Sequence, residues 1–369
     1  MRIAVPLQDG AHWFGGTAYW SAVMRCVKRH FPSVVFVGIA SGDASVAVRQ
    51  GLAGIVDEVV PPPRQELTFA QQVVRKVVGH DGDLARFVRS HNLDAVLSVG
   101  LNRYPGVKTV SWIPDFQHRH LPQNFSLQEI ADRDEVYARS AKTADALLAM
   151  SDTVAADIRR WYPAQAEKIH VVKAAFDPAQ YFIEDTEAKA VCRDFALPEQ
   201  FVFVPNQWWM HKNHETVLLA ARHLMLSGSP VTFVFTGLMF DRRDPLHVSR
   251  QVAQAASMGL GPHVRYCGIV DRRQLHALYS RCACVVNPSL FEGFGLSGAE
   301  GLAAGKNVVL SDIPAHREHG PNGCFYFSPQ NALSCAEAIS DARSAKEQPV
   351  NDYEERSKAA AEAFMKMVM

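Results

Sequence analysis

The sequence is short of nearly everything that would place it outside the ordinary globular proteins. It has no CxxC pair, and its seven cysteines sit mostly in apolar runs, as at Cys26, Cys267, Cys282 and Cys284. That usage favours buried, reduced thiols in a cytoplasmic setting over disulfides or a zinc site. Net charge is absent, with Lys+Arg and Asp+Glu both at 38, which removes a whole-chain basic field for nucleic acid. No apolar run approaches the length of a membrane span. The opening MRIAVPLQDG has neither a charged n-region nor a cleavage site, and is expected not to be a signal peptide. There is no low-complexity tract and no short repeat. No GxGxxG follows an early strand with an acid beyond it, which disfavours a dinucleotide oxidoreductase.

What is present is an alternation. At 369 residues, 48% of them hydrophobic, the chain has the length for two domains. Short β-branched runs are predicted as strands at 2–7, 34–39, 57–60, 95–99, 108–113, 146–150 and 169–172. Helical patterns lie between them at about 16–30, 69–91, 127–143 and 153–162. A second series of strands is predicted at 201–205, 231–236, 264–267, 284–287, 307–310 and 324–327. Its helices fall near 215–227, 248–258, 272–281, 296–304 and 331–342. This rhythm predicts an α/β protein of two doubly wound, Rossmann-like parallel-sheet domains. The break is expected between Phe176-Asp177-Pro178 and Leu197-Pro198, a polar stretch without a clear period. The first domain is placed at 1–178 and the second at 179–350. A helical pattern at about 351–369 is long enough to return to the first domain. In doubly wound sheets ligands bind beyond the C-terminal strand ends, so the residues just after each strand carry the functional expectations.

After the strand at 284–287 comes Pro288-Ser289-Leu290-Phe291-Glu292-Gly293-Phe294-Gly295-Leu296, then a helix of small residues containing Glu300 and Gly301. A glycine-rich turn opening a helix presents free N–H groups suited to a diphosphate. Carboxylates there make sense as acceptors of sugar and ribose hydroxyls. The stretch resembles the paired-glutamate signature of retaining GT-B glycosyltransferases, particularly glycosyltransferase family 4, with Gly301 where Ala is common. The downstream run Val308 to Pro314 with Glu318, and the upstream Gly268, Leu275 and Leu278-Tyr279, resemble the family as well.

That resemblance implies the GT-B fold and transfer of a sugar from a nucleotide-diphosphate donor, UDP- or GDP-linked, to an acceptor hydroxyl. Glu292 would lie near the transferred sugar, Glu300 would hold the ribose, and the backbone of Gly293, Phe294, Gly295 and Leu296 would contact the donor. Lys212, after the first strand of the second series, matches a family cation that stabilises the departing diphosphate. Its usual partner, an Arg five positions earlier, is replaced by the neutral Gln207. Either Gln207 suffices, or His211, Asn206 or another basic residue shares the task. Gly237 and Ile269 match donor-loop positions. In the first half, His12 to Thr17 resembles the family's Gly-Gly loop, at Gly15 and Gly16. The loop from Trp112 to Pro122 places His118, and less directly Asp115 and His120, on the sugar or acceptor side.

No DxD-type motif stands in a cleft loop, since Asp241-Arg242-Arg243-Asp244 is too widely spaced and too basic. Transfer without a metal is therefore expected, with no cofactor beyond the nucleotide-sugar co-substrate. The resemblance points to polysaccharide or glycolipid assembly with a saccharide or lipid-linked acceptor. The helix bearing Arg25, Lys28, Arg29 and His30 has a basic edge that could dock peripherally on anionic lipid, or be a solvated face. Competing readings are another GT-B enzyme, such as a nucleotide-sugar epimerase or phosphorylase, and a non-catalytic nucleotide-sugar binder.

Overall fold

A computed structural model describes residues 1–7, 14–40, 52, 54–63, 82–98, 103–347 and 352–369. The chain divides into two compact units. One comprises Met1–Phe116, Gln128–Ala175 and Glu354–Met369, the other Gln117–Leu127 and Phe176–Tyr353.

The first unit holds β1 (Arg2–Pro6), β2 (Val35–Ile39), β3 (Glu58–Val60), β4 (Ala95–Ser98), β5 (Lys108–Trp112), β6 (Ala146–Ala149) and β7 (Ile169–Val171). They form one parallel sheet in the order β3-β2-β1-β4-β5-β6-β7. The second unit holds β8 (Phe201–Val204), β9 (Thr232–Thr236), β10 (Val264–Gly268), β11 (Cys284–Asn287), β12 (Val308–Ser311) and β13 (Cys324–Phe327). Its parallel sheet runs β10-β9-β8-β11-β12-β13. Central strands such as FVFV of β8, CVVN of β11 and VVLS of β12 are buried at every residue. Continuous apolar runs of this kind belong to sheets covered by helices on both faces. Two sheets with the winding of dinucleotide-type Rossmann domains constitute the GT-B architecture that the alternation and the motif implied.

The C-terminal helix Tyr353–Val368 packs on the first unit, as its length suggested. Phe364 meets Phe36 of β2 edge to face with centroids 6.1 Å apart. His30 lies 3.1 Å from the Ser357 hydroxyl, and Arg29 pairs with Glu354 at 2.7 Å. On the same basic helix edge Lys28 pairs with Asp57 at 2.6 Å. Two of the charges offered by that edge are thus directed at acids of the same unit. Among the described residues no helix is long and apolar enough to cross a membrane.

Three local expectations need correction. The stretch expected to lack a period contains the helix Asp185–Asp194, which packs Ala188 and Val191 against Ala277 and also buries Cys192. Its apolar stripe is short and built from small residues, so the periodicity is faint. The helix expected from residue 16 begins at Phe14, two residues earlier, so both Gly15 and Gly16 lie in its first turn, while His12 and Trp13 fall outside the described residues. The loop after β5 contains a short helix, Gln117–His120. Residues 69–81 of the predicted 69–91 helix, and Val99 of the predicted strand at 95–99, lie outside the described residues; Gly82–Ser90 is helical.

Candidate active site

Strand order reverses in the second sheet between β8 and β11, and a doubly wound sheet leaves its crevice beyond the strand ends at such a point. The loop after β8 carries Gln207 and Lys212, and the loop after β11 carries Glu292. The two informative loops of the sequence therefore flank the switch point. Asn206 bridges them, its Nδ2 donating at 3.4 Å to Asn287 Oδ1 and at 3.4 Å to Ser297 Oγ.

The β8 loop is anchored by Trp208, which is wholly buried and stacks on the His214 ring with centroids 4.2 Å apart and planes 6° from parallel. Asn213, at φ 54°, turns the chain into the helix His214–Leu226 and donates to the carbonyls of Pro288 (3.0 Å) and Pro329 (2.7 Å). Leu290 N–H donates to the His211 carbonyl at 2.8 Å, a further tie between the loops. Lys212, ending the turn Met210–Lys212, is thereby held with its Nζ 2.6 Å from Glu292 Oε1.

Glu292 Oε1 also accepts from Ser289 Oγ at 2.7 Å and from Asn287 Nδ2 at 3.2 Å. Burial pushes its carboxyl upward. The charge of Lys212, the imidazoles of His316 and His211, and the Lys212 hydrogen bond outweigh burial and hold it at about 2. Glu292 is therefore an anion at neutral pH.

Gly295 precedes the helix Leu296–Ala303 at φ 84°. A Cβ there would lie 2.6 Å from His316 Cδ2 and 2.9 Å from its Nε2. A Cβ at Gly301 would come within 2.8 Å of Val308 Cγ1, so glycine lets this helix lie close on β11 and β12. Glu300, in the same helix, receives one tyrosine hydroxyl on each oxygen, Tyr181 on Oε1 at 3.3 Å and Tyr279 on Oε2 at 3.1 Å. Burial raises its carboxyl, against the pull of Arg272 and the two tyrosines. The two glutamates of the motif are thus pushed in opposite directions.

Imidazoles surround the anion. His316 donates its Nδ1 proton to the Ser311 carbonyl at 2.8 Å, because a carbonyl cannot donate. Burial holds His316 at about 4 and His214 at about 3. In the unfolded chain both return to about 6.5, so below that pH the unfolded chain binds protons that the folded one refuses. The stability they contribute is complete above about 6.5 and is lost as the pH falls toward 4. Lowering the pH from about 7.5 to about 5.5 is expected to cost about 2–3 kcal/mol in urea unfolding. A flat profile across that window would mean that these rings are not buried neutral.

The remaining site residues are placed as follows. Gly237, at φ 105°, closes β9 against the Asn206–Gln207 backbone. Gln207 has its Oε1 buried without a hydrogen-bond partner among the described residues. Ile269 is 58% exposed just after β10. Gly293 lies in the β11 loop, and Phe294 turns its side chain inward, edge-on to His319 at 5.0 Å between centroids. His118 is fully buried, whereas His120 stacks on Phe291 with centroids 4.8 Å apart. Both lie in the Gln117–Leu127 segment that groups with the second unit. The first unit holds Gly15, Gly16 and Asp115, the last 4.0 Å from Arg133. Asp241 and Asp244 are otherwise engaged: Asp241 accepts backbone N–H groups from Met210 and Arg243, and Asp244 pairs with Arg250. Sequence reasoning missed Asn213, which directly follows Lys212, and Tyr181 and His316, which come from other segments of the chain.

Residues 198–344 match the family model for glycosyl transferases group 1. The O-antigen chain mannosyltransferase RfbU of Salmonella typhimurium is 28% identical over 200 residues, covering 54% of this chain and 51% of that protein. A D-inositol 3-phosphate glycosyltransferase of Jonesia denitrificans is 29% identical over 204 residues, covering 52% of this chain and 47% of that protein. The chain spans about half the length of these relatives. Among solved structures, Anabaena Alr3699/HepE, determined with UDP and glucose, superposes with a TM-score of 0.69 at 18% identity, covering 100% of this chain and 94% of that one.

Proposed function

We propose that the chain is a retaining, metal-independent glycosyltransferase that moves a sugar from a nucleoside-diphosphate sugar to an acceptor hydroxyl. The observation that carries this reading is the Lys212–Glu292 pair, 2.6 Å long, at the switch point beside the helix that opens at Gly295. The group 1 match over residues 198–344 supports it.

In this mechanism the bond from sugar C1 to the phosphate oxygen breaks, and the acceptor oxygen bonds to C1 on the same face. The acceptor proton passes to the leaving phosphate oxygen. Charge grows on that phosphate, where Lys212 and the first-turn N–H groups after Gly295 stabilise it. A carboxylate held at about 2 is a poor proton acceptor, so Glu292 serves to hold sugar hydroxyls and to balance positive charge developing at C1. Glu300, beside Tyr181 and Tyr279, accepts the ribose hydroxyls. His118, His120 and Asp115 belong to the sugar and acceptor side, and Gly15 and Gly16, in the first turn of the helix Phe14–His30, belong with the donor-binding residues. Gly237, Ile269 and the run from Gly293 to Leu296 approach the donor through their backbone.

A UDP-linked donor is favoured by the neighbour solved with UDP and glucose, and a GDP-linked donor is the other choice. The O-antigen mannosyltransferase among the relatives supports a saccharide or lipid-linked acceptor in polysaccharide or glycolipid assembly.

The test is thermal unfolding with UDP, GDP, ADP, CMP and their sugar conjugates. A ligand at about 100 times its Kd stabilises the native state by about 2.7 kcal/mol. One nucleotide should stand out, turnover should survive EDTA, and the product should keep the donor's anomeric configuration by NMR. A panel without any shift would remove the donor-site assignment. Binding without turnover would leave a non-catalytic nucleotide-sugar binder.

A further inference from the structure

We propose that Arg243, on the loop after β9, is the second cation that meets the diphosphate of a bound nucleoside diphosphate, working beside Lys212. The inference rests on the nucleotide-sugar reading above and adds to it a residue outside both recognised loops.

The first argument is charge. A terminal phosphate alone carries about −1.5 to −2 charge near neutrality. On the β8 loop Lys212 is already matched by Glu292 at 2.6 Å, and Gln207 is a neutral amide. Burial keeps His214 and His316 neutral, and pushes His211 well below the ordinary histidine range. These groups alone leave the diphosphate without a surplus of positive charge.

The second argument is geometry. Asp241 is 2% exposed, and its carboxylate joins two loops: Oδ2 accepts from Met210 N–H at 3.0 Å, and Oδ1 accepts from Arg243 N–H at 2.9 Å. The backbone of Arg243 is thereby fixed within a few ångströms of the turn that bears His211 and Lys212. Trp208 N–H, donating to the Leu238 carbonyl at 3.1 Å, ties the same loops a second time. The proximity has an electrostatic trace, because the Arg243 charge contributes to holding His211 neutral. The guanidinium Cζ lies 4.2 Å from the Phe125 ring centre. Stacking fixes the plane of a guanidinium, whose N–H groups match phosphate oxygens.

The experiment is calorimetric titration of UDP against UMP, and GDP against GMP, into the full chain carrying Arg243→Ala, Arg243→Lys, Phe125→Leu, Lys212→Ala or the pair Arg243→Ala/Gln207→Arg. Arg243→Ala should weaken the diphosphate about 10- to 100-fold and the monophosphate less than about threefold. Arg243→Lys should recover part of the loss, and Gln207→Arg should restore diphosphate affinity in the Arg243→Ala background. Phe125→Leu should keep most of the preference for diphosphate. The proposal is overturned if Arg243→Ala binds diphosphate like the wild type, if it weakens both nucleotides equally, or if Phe125→Leu reproduces its effect. Should the wild type bind diphosphate and Lys212→Ala weaken it while Arg243→Ala does not, the donor site stands and only Arg243 falls. Should the wild type bind none of these nucleotides, both readings fall together.

Discussion

Replacing Lys212 by alanine should lower sugar transfer by about 10²–10³-fold, the loss typical of one preorganised group that stabilises developing charge. The same change should destabilise the fold. Lys212 and Glu292 have side chains only 13% and 12% exposed, and removing one partner of such a pair leaves an uncompensated buried charge. The cost is about 3–5 kcal/mol. Ser289 and Asn287 still donate to the carboxylate, which places the expected value toward the lower end. The unpaired carboxyl can also escape by taking a proton, so the deficit should shrink as the pH is lowered toward the ordinary carboxylate range. The double variant Lys212→Ala/Glu292→Gln separates the two roles, because removing both charges relieves the buried imbalance without restoring the cation. Urea unfolding should show it near wild-type stability, and a donor-turnover assay should show it as inactive as the single variant. Transfer within about threefold of wild type in Lys212→Ala would refute the assignment.

The second large effect is expected at a residue with no side chain. Gly237 sits at φ 105°, and a Cβ there would lie 2.8 Å from the Asn206 carbonyl oxygen and 3.0 Å from Gln207 Cα. These are backbone atoms of the Lys212 loop and cannot rotate away. Gly237 N–H is also tied to the Gly268 carbonyl at 2.8 Å, so the loop after β10 would be pulled as well. Left-handed strain of about 1–2 kcal/mol adds to overpacking of about 1–3 kcal/mol, and Gly237→Ala should cost about 2–5 kcal/mol. Nucleotide affinity should fall with it, because the loops that frame the switch point are displaced. Gly228 provides the control. It has φ 76°, and a Cβ there would have nothing within 4 Å, so Gly228→Ala should incur the backbone strain alone. Equal destabilisation of the two variants in urea unfolding would show that the close approach at Gly237 is unimportant.

The strands were legible because each is a short apolar run cut off by turn residues. Cys284–Asn287 and Cys324–Phe327 were predicted to the residue, and so were the helices Leu127–Thr143 and Arg272–Arg281. The helix Asp185–Asp194 was not, since Ala188 and Val191 make a faint stripe whose reason, packing against Ala277, lies far along the chain. In the candidate site, Glu292, Glu300 and Gly295 could be named because a glycine turn and paired acids leave a dense local pattern that resembles a family signature, and Lys212 because its place after β8 resembles a family position.

The sequence by itself therefore determined two doubly wound sheets, the loops that follow their strands, and the identity of the charged groups on them. Periodicity and turn chemistry are local properties, written in consecutive residues. Only the tertiary structure decided which charges meet and in what state. Lys212 and Glu292 are 80 positions apart and are joined by the strand order at the switch point. Glu292 is held at about 2 while Glu300 is raised, because the Lys212 ammonium and nearby imidazoles outweigh burial at one carboxylate, and burial outweighs Arg272 and two tyrosine hydroxyls at the other. Arg243 is tied to the Lys212 turn by a single buried carboxylate, Asp241. Burial and partner choice are properties of three-dimensional proximity, and no spacing along the chain encodes them.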